Sequence, residues 1–496
     1  MNRSSFWSMW AASLPSVLLA MSWPQSAAAQ IREPVPAAAA VRTSDWLADF
    51  AHLKDALTRA YANLDWAIEQ RGMRLPELAL ATEAAIRQAP SDSGARAVID
   101  AFLGAFGDGH LEVRWAARPA ATSVPSAKDP APRPLCARLG YQRARRGGGV
   151  RFELLPGFRW LPSPDSVYFP AGIMVDGDDR LGVLRIASFE DNIHPELCEA
   201  AARGLGLHDD APCDSACAAR VPRDTGNQLT AALERRVASL QAAGITRLLV
   251  DVTRNGGGTN WVEAAARTLT PVPLRGARMG FLRHPHYVRS FDAQIESLRR
   301  DSVAATPQAQ AQVGRALVTL RQQRREADKA CDRSALWEGR PASCSLVVTE
   351  PPRYSTGLVA YAEPGTVDAA PPGFALFSPA RYRYREGMYR GPLLVLIDGG
   401  TASAAEYFTA LVMDNSAGVV VGAPTYGAGC GYTNGGIRLV LPHSGGRVMV
   451  PDCVRLRASG SNEVEGIAPD MPVPWRRADT PLQRARRVFD TVSTAR

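Results

Sequence analysis

After residue 29, no stretch of this 496-residue chain is apolar enough to cross a bilayer, which excludes a membrane-embedded body. A dense basic stripe is also missing. The net charge is +8, and its cations are scattered apart from runs at Arg143 to Arg146 and Arg321 to Arg325. Without interleaved aromatic residues these runs read as solvated faces, so nucleic acid is not expected as a partner. No internal repeat is present, which argues against a repeat array. Metal-ligand spacing is incomplete as well. Cys213, Cys217 and His208 imitate part of a zinc site, but no second cysteine pair completes it. His284 and His286 lack further ligands in an obvious pattern, so neither a metal nor another cofactor is expected.

What is there begins with length. A single hydrophobic core rarely grows past about 250 to 300 residues, so more than one structural unit is expected. Residues 1–29 read as a secretory signal peptide, with Arg3 near the start, an apolar stretch through Leu18 to Met21 and Ala27-Ala28-Ala29 as the cleavage site. Pro15, Ser16 and Pro24 interrupt the apolar run, which favours cleavage over a retained anchor and implies a periplasmic or secreted protein with no stable membrane span. Eight cysteines in an exported chain fit four disulfides. Close spacing suggests Cys213 with Cys217 and Cys331 with Cys344, leaving Cys136, Cys198, Cys430 and Cys453 for longer links.

Residues 30–43, rich in Ala and Pro, read as a linker. Trp46, Phe50, Leu53, Leu57 and Leu64 then recur at helical spacing, and Val98 to Phe106 is a second apolar helical stretch, giving an N-terminal helical domain over 44–115. Residues 116–180, rich in Pro, Arg and Gly, read as an irregular or β-rich insertion. Strand and helix patterns alternate over 181–270 and again over 391–475, the two parts of an α/β core with crossover connections. Between them, 271–390 is an insertion with a long helix around Gln308 to Asp328, and 476–496 is a C-terminal segment.

Within the second part of the core, LLVLIDGGTASAAE (Leu393 to Glu406) sets an apolar strand against a glycine turn and places Ser403 at the mouth of a helix. The unpaired N–H groups of that helix would stabilise an oxyanion beside Ser403. Taken alone, the segment is better read as an ordinary serine cap.

Companion segments change that balance. DVTRNGGG (Asp251 to Gly258), GGTASAAE (Gly399 to Glu406), GAPTYGAG (Gly422 to Gly429) and VEGIAPDMPV (Val464 to Val473) stand in the order and spacing of the tail-specific, or C-terminal processing, serine peptidases, and FGDGH ends at His110. The chain resembles the tricorn-like branch of that family, whose fold would be a ClpP/crotonase-like β/α core carrying an N-terminal helical unit and, here, two insertions. The resemblance implies Ser403 as nucleophile. It also implies an oxyanion hole from the N–H groups of Ala404 and Gly257, since a glycine loop lets backbone donors approach a carbonyl. A phosphate cradle is the rival reading of NGGG, but both the Lys-Ser/Thr of a P-loop and GxGxxG spacing are absent.

In the processing peptidases proper, a lysine base lies within the segment that here carries Ala428. The tricorn-like branch uses a histidine instead, which implies His110 as general base, an imidazole being suited to proton transfer near neutral pH. The same branch supports its histidine with a preceding serine and a later glutamate. Gly109 replaces the serine here, Glu465 matches the glutamate, and Asp108 is a possible further support. Taken singly, His110 reads as a helix-end residue and Glu465 as a surface acid, while His443 in PHSGG reads as a hairpin tip. The expected activity is an exported serine endopeptidase acting on a protein or peptide through an acyl-enzyme. The alternative is a catalytically inactive ligand-binding or scaffold protein on the same fold, which Gly109 and Ala428 would favour. No PDZ-like carboxylate loop is legible between Leu111 and Arg180.

Overall fold

Adjacent parallel strands bring the two glycine-bearing loops to the same end of one sheet. The computed structural model describes residues 42–115, 133–144, 148–302, 307–367 and 370–494; residues 1–29, read as a signal peptide, and nearly all of 30–43, read as a linker, lie outside them. A seven-stranded sheet runs in the order Met471–Pro472, Val419–Gly422, Leu393–Ile397, Arg247–Asp251, Asp179–Arg185, Ala171–Asp176 and Phe158–Trp160. The first five are mutually parallel and the last two pair antiparallel. Of the region 116–180, read as an irregular or β-rich insertion, 116–132 and 145–147 lie outside the described residues; the rest supplies the last two strands of this sheet.

Alternation along the central strands explains their burial on both faces. Leu248, Val250, Val395 and Ile397 pack with the helices Ser215–Ala242, Trp261–Thr268 and Ala404–Asp414, whereas Leu249, Leu394, Leu396 and Val421 pack with Val488 and Val492 of the helix Pro481–Thr494. The insertion builds its own core, in which Phe281, Phe291, Ile295, Leu298, Val313 and Leu320 join the helices Pro285–Asp301 and Pro307–Ala327 to a small antiparallel sheet. The long helix expected at 308–328 is therefore present. The N-terminal helices Thr43–Ala60 and Asp92–Gly104 bury Phe50 against Phe102. The chain then enters the strand Glu112–Arg114, which pairs with Arg447–Val450 of a hairpin. His443 sits in that hairpin's turn, where its N–H donates to Asp49.

All eight cysteines are paired, as Cys136–Cys198, Cys213–Cys217, Cys331–Cys344 and Cys430–Cys453. This matches both short-range expectations and removes Cys213 and Cys217 from any zinc site.

Candidate active site

The strand Leu393–Ile397 ends at Asp398, and the turn after it is tied to the neighbouring NGGG loop. Asp398 Oδ1 accepts from Arg254 N–H and Gly400 N–H, Thr401 Oγ1 donates to the Val252 carbonyl, and Ala402 N–H donates to the Asn255 carbonyl. These bonds hold Ser403 at φ 56°, ψ −118°, immediately before the helix Ala404–Asp414. An ordinary N-cap is extended with negative φ, and a positive φ at a non-glycine residue costs on the order of 1–3 kcal/mol. The strained turn, more than the position, sets Ser403 apart from a simple cap.

His110 is oriented by a backbone carbonyl. Its Nδ1 lies 2.5 Å from the Ala428 oxygen. A carbonyl only accepts, so Nδ1 carries a proton, and in the neutral ring the lone pair falls to Nε2. Tyr432 packs edge-on at 5.3 Å between ring centroids, and its hydroxyl donates to the His110 carbonyl. Gly431, at φ 76°, passes so close that a Cβ there would fall 2.9 Å from the imidazole.

Asp108 supports the turn and not the ring. Its carboxylate accepts from His110 N–H at 2.9 Å, Asn63 Nδ2 at 2.7 Å and Tyr61 Oη at 3.1 Å. Burial pushes its pKa up, opposed by the bonds from Asn63 and His110. Gly109 lies under the exposed ring of Tyr426. A Cβ there would lie 2.1 Å from Tyr426 Cε1, so the ring of Tyr426 covers the place a serine side chain would take.

The carboxylate that organises the site is Glu406, which the sequence reading did not single out. It is fully buried, and Oε2 accepts from Ser403 N–H at 2.8 Å and Ala428 N–H at 2.9 Å. Oε1 accepts from Thr425 Oγ1 and Gly427 N–H, both at 2.7 Å. One side chain thus clamps the serine turn to the loop whose carbonyl holds His110. Its signal was available: Glu406 stands three residues after Ser403, the spacing of a capping box.

Glu465 lies elsewhere. It is exposed, accepts from Trp66 Nε1 at 3.3 Å, and lines a separate cavity of about 870 Å³ with Trp66 and Asn462. It is not brought to His110, because the short 3-10 turn Glu463–Glu465 buries Glu463 and turns Glu465 outward. Burial lifts the Glu463 carboxyl to about 7, with Arg455 opposing and Glu406 adding to the rise. The folded protein therefore holds that proton more tightly than the unfolded chain, whose ordinary value is 4.5. The stability this proton contributes is lost as pH rises from about 4.5 through about 7. Urea titrations across that window should give a flatter profile for Glu463→Gln than for the wild type; equal slopes would refute this.

Of the two expected oxyanion donors, Ala404 and Gly257, the second is already engaged. Ala404 N–H, at the first helical position, has no partner among the described residues, as an orphan helix donor should. Gly257 N–H, by contrast, donates to Asn255 Oδ1 at 2.9 Å and is already engaged. At φ 103°, Gly257 instead packs against the serine turn, where a Cβ would lie 2.8 Å from both Ala404 N and Ser403 Cβ. Gly258 lines the same cavity as Ser403, and its N–H has no partner among the described residues. Gly256 N–H also lacks a partner among the described residues, so of the loop's two unengaged donors Gly258 is the one on the wall of this cavity. An asparagine side chain closing on the N–H two residues ahead is a local turn that residue type only hints at.

Ser403, Ala404, His110 and Gly258 share the wall of a cavity of about 930 Å³, whose far side comes from residues 279–381 of the insertion. Cys430 also lines it and is bonded to Cys453, tying down the loop that carries Ala428. Opening this link with Cys430→Ser and Cys453→Ser together should cost about 2–4 kcal/mol in chemical denaturation. No group of His, Cys, Asp and Glu among the described residues could hold a metal ion.

Residues 180–473 match the model of peptidase family S41. The carboxyl-terminal-processing peptidase 2, chloroplastic, of Arabidopsis thaliana is 34% identical over 85 residues, 17% of this chain and 15% of the relative. The match thus spans a small part of that protein's length. The crystal structure of mature CPAF superposes with a TM-score of 0.54 at 15% identity, covering 91% of this chain and 96% of the other. Its complex with lactacystin gives 0.55 at 16% identity, covering 91% and 98%. At such identity the likeness is one of fold.

Proposed function

The chain belongs to peptidase family S41, and from that premise we propose that it is an exported serine endopeptidase with Ser403 as nucleophile and His110 as general base. The observation that carries this reading is the Nδ1 contact of His110 with the Ala428 carbonyl, which leaves Nε2 as the acceptor on a wall shared with a strained Ser403. In the first step Nε2 takes the hydroxyl proton while Oγ bonds to the substrate carbonyl carbon. The negative oxygen formed meets the N–H groups of Ala404 and Gly258. Collapse breaks the C–N bond, and the imidazolium returns its proton to the leaving amine. Water, deprotonated by the same Nε2, then attacks the ester and releases the acid and Ser403. Glu406 positions both partners without touching substrate. A lysine at 428 is not needed, because the carbonyl of Ala428 serves the histidine.

Four disulfides support an oxidising compartment. No helix among the described residues is long and apolar enough to cross a membrane. A fluorophosphonate probe should label the wild type at Ser403, fail on Ser403→Ala, and label His110→Ala far more slowly. A folded wild-type protein that resists the probe would favour the inactive scaffold reading.

A further inference from the structure

No carboxylate among the described residues bonds the His110 ring, so its orientation depends on where the Ala428 carbonyl stands. The loop bearing that carbonyl contains Gly427, Gly429 and Gly431, all at positive φ, and such a segment is costly to order. Glu406 fixes its start, through Gly427 N–H and Ala428 N–H. Asp452 fixes its end. This fully buried carboxylate accepts through Oδ1 from Thr433 N–H at 2.8 Å and Thr433 Oγ1 at 2.9 Å, and Asp452 N–H donates to the Gly431 carbonyl at 3.0 Å. The residues so held are the ones that touch the base, since Gly431 passes against the imidazole and Tyr432 donates to the His110 carbonyl.

The other oxygen of Asp452, Oδ2, is buried with no hydrogen-bond partner among the described residues. His286 Nε2 lies 3.5 Å from it and 3.0 Å from the Thr433 carbonyl. That carbonyl can only accept, so Nε2 of His286 carries a proton, which the nearby carboxylate attracts. Burial raises the Asp452 carboxyl from 3.8 to about 6, opposed by Thr433 and His286, so at neutral pH His286 faces an anion. His286 comes from the insertion, at the start of the helix Pro285–Asp301, where His284 Nδ1 accepts from His286 N–H at 3.1 Å and fixes the first turn. It also lines the cleft that holds Ser403. The two histidines that made no metal pattern in the sequence therefore tie the insertion to the loop of the base.

We infer that Asp452 is a positioning residue for His110, and that His286 of the insertion holds Asp452 and the Thr433 end of the loop in the geometry that proton transfer needs. This rests on His110 acting as the base.

Asp452→Asn keeps an oxygen for Thr433 but sets an NH2 against the His286 proton. It should lower kcat for peptide hydrolysis about tenfold to a hundredfold with KM nearly unchanged, because a misplaced base acts on the chemical step. His286→Ala, a change at the cleft surface, should act in the same way with a urea midpoint near the wild type, and it carries the test if Asp452→Asn does not fold. His286→Gln, whose amide still donates to the Thr433 carbonyl, should recover part of the rate. The double variant His286→Ala with Asp452→Asn should be no slower than the slower single one. Ring-nitrogen NMR shifts, assigned by their loss in His110→Ala, should show His110 with its proton on Nδ1 in the wild type and a mixture of tautomers in His286→Ala and Asp452→Asn. Losses that multiply in the double variant, or a His110 tautomer unchanged in the folded variants, overturn the inference. A wild type that cleaves nothing and resists the fluorophosphonate probe, while the variants still shift the His110 signals, would fail the peptidase reading and leave the positioning of His110 standing.

Discussion

Replacing Ser403 with alanine should lower kcat for peptide hydrolysis by on the order of 10^4-fold or more, with little change in folding stability. The two halves of that expectation come from different atoms. In the proposed mechanism the hydroxyl supplies the bond to the substrate carbonyl, and among the described residues no other hydroxyl stands on a strained turn beside Ala404 N–H. The backbone supplies the structural bonds, since Ser403 N–H reaches Glu406 Oε2 and Ala402 N–H reaches the Asn255 carbonyl. Alanine keeps both. Steady-state hydrolysis of a quenched peptide and a urea denaturation curve on the same preparation would check it. A variant that retains a tenth of the wild-type rate would remove Ser403 from the mechanism.

Glu406→Ala should fail on both counts. Its carboxylate receives four donors in a fully buried position, and charge-assisted bonds of this kind contribute about 1.5–3 kcal/mol each without adding in full. A loss of about 4 kcal/mol is expected in denaturation, because three backbone N–H groups and the Thr425 hydroxyl would be left buried without a partner. Activity should fall further than stability accounts for. With the clamp gone, the loop holding the Ala428 carbonyl is free of the serine turn, and His110 loses the contact that fixes its tautomer. Glu406→Gln is the sharper control, since it preserves volume but turns an NH2 toward donors. If the alanine variant kept wild-type stability and rate, the clamp would be ornamental.

The difference between these two residues marks what sequence can carry. Leu393 to Ile397 and Arg247 to Asp251 were legible as strands because burial on both faces writes a continuous apolar run. Ser403 was legible because the glycine turn and the helix bracket it. Glu406 sits inside that same segment but reads as an acid in the first helical turn, with nothing local to announce that the Gly427 loop would fold onto it. Glu465 had the opposite history, suggested by resemblance and placed by a short turn at another cavity. The Ala428 oxygen and the Gly258 N–H are backbone groups, which residue identity does not encode. Whether an N–H is free or engaged, as for Gly257 against Asn255, is decided by side-chain closure over two residues. Gly109 looked like a lost hydroxyl from sequence, and the ring that covers it, Tyr426, is a neighbour found only in three dimensions.

The pairing of Glu112 with Met449 has a consequence in time. His110 lies two residues before that strand, so the histidine reaches its post only after the far end of the chain has been made and zipped into register. Until then Ser403 and His110 belong to unconnected pieces. A site assembled this way stays divided until that pairing forms; its latency is a property of connectivity.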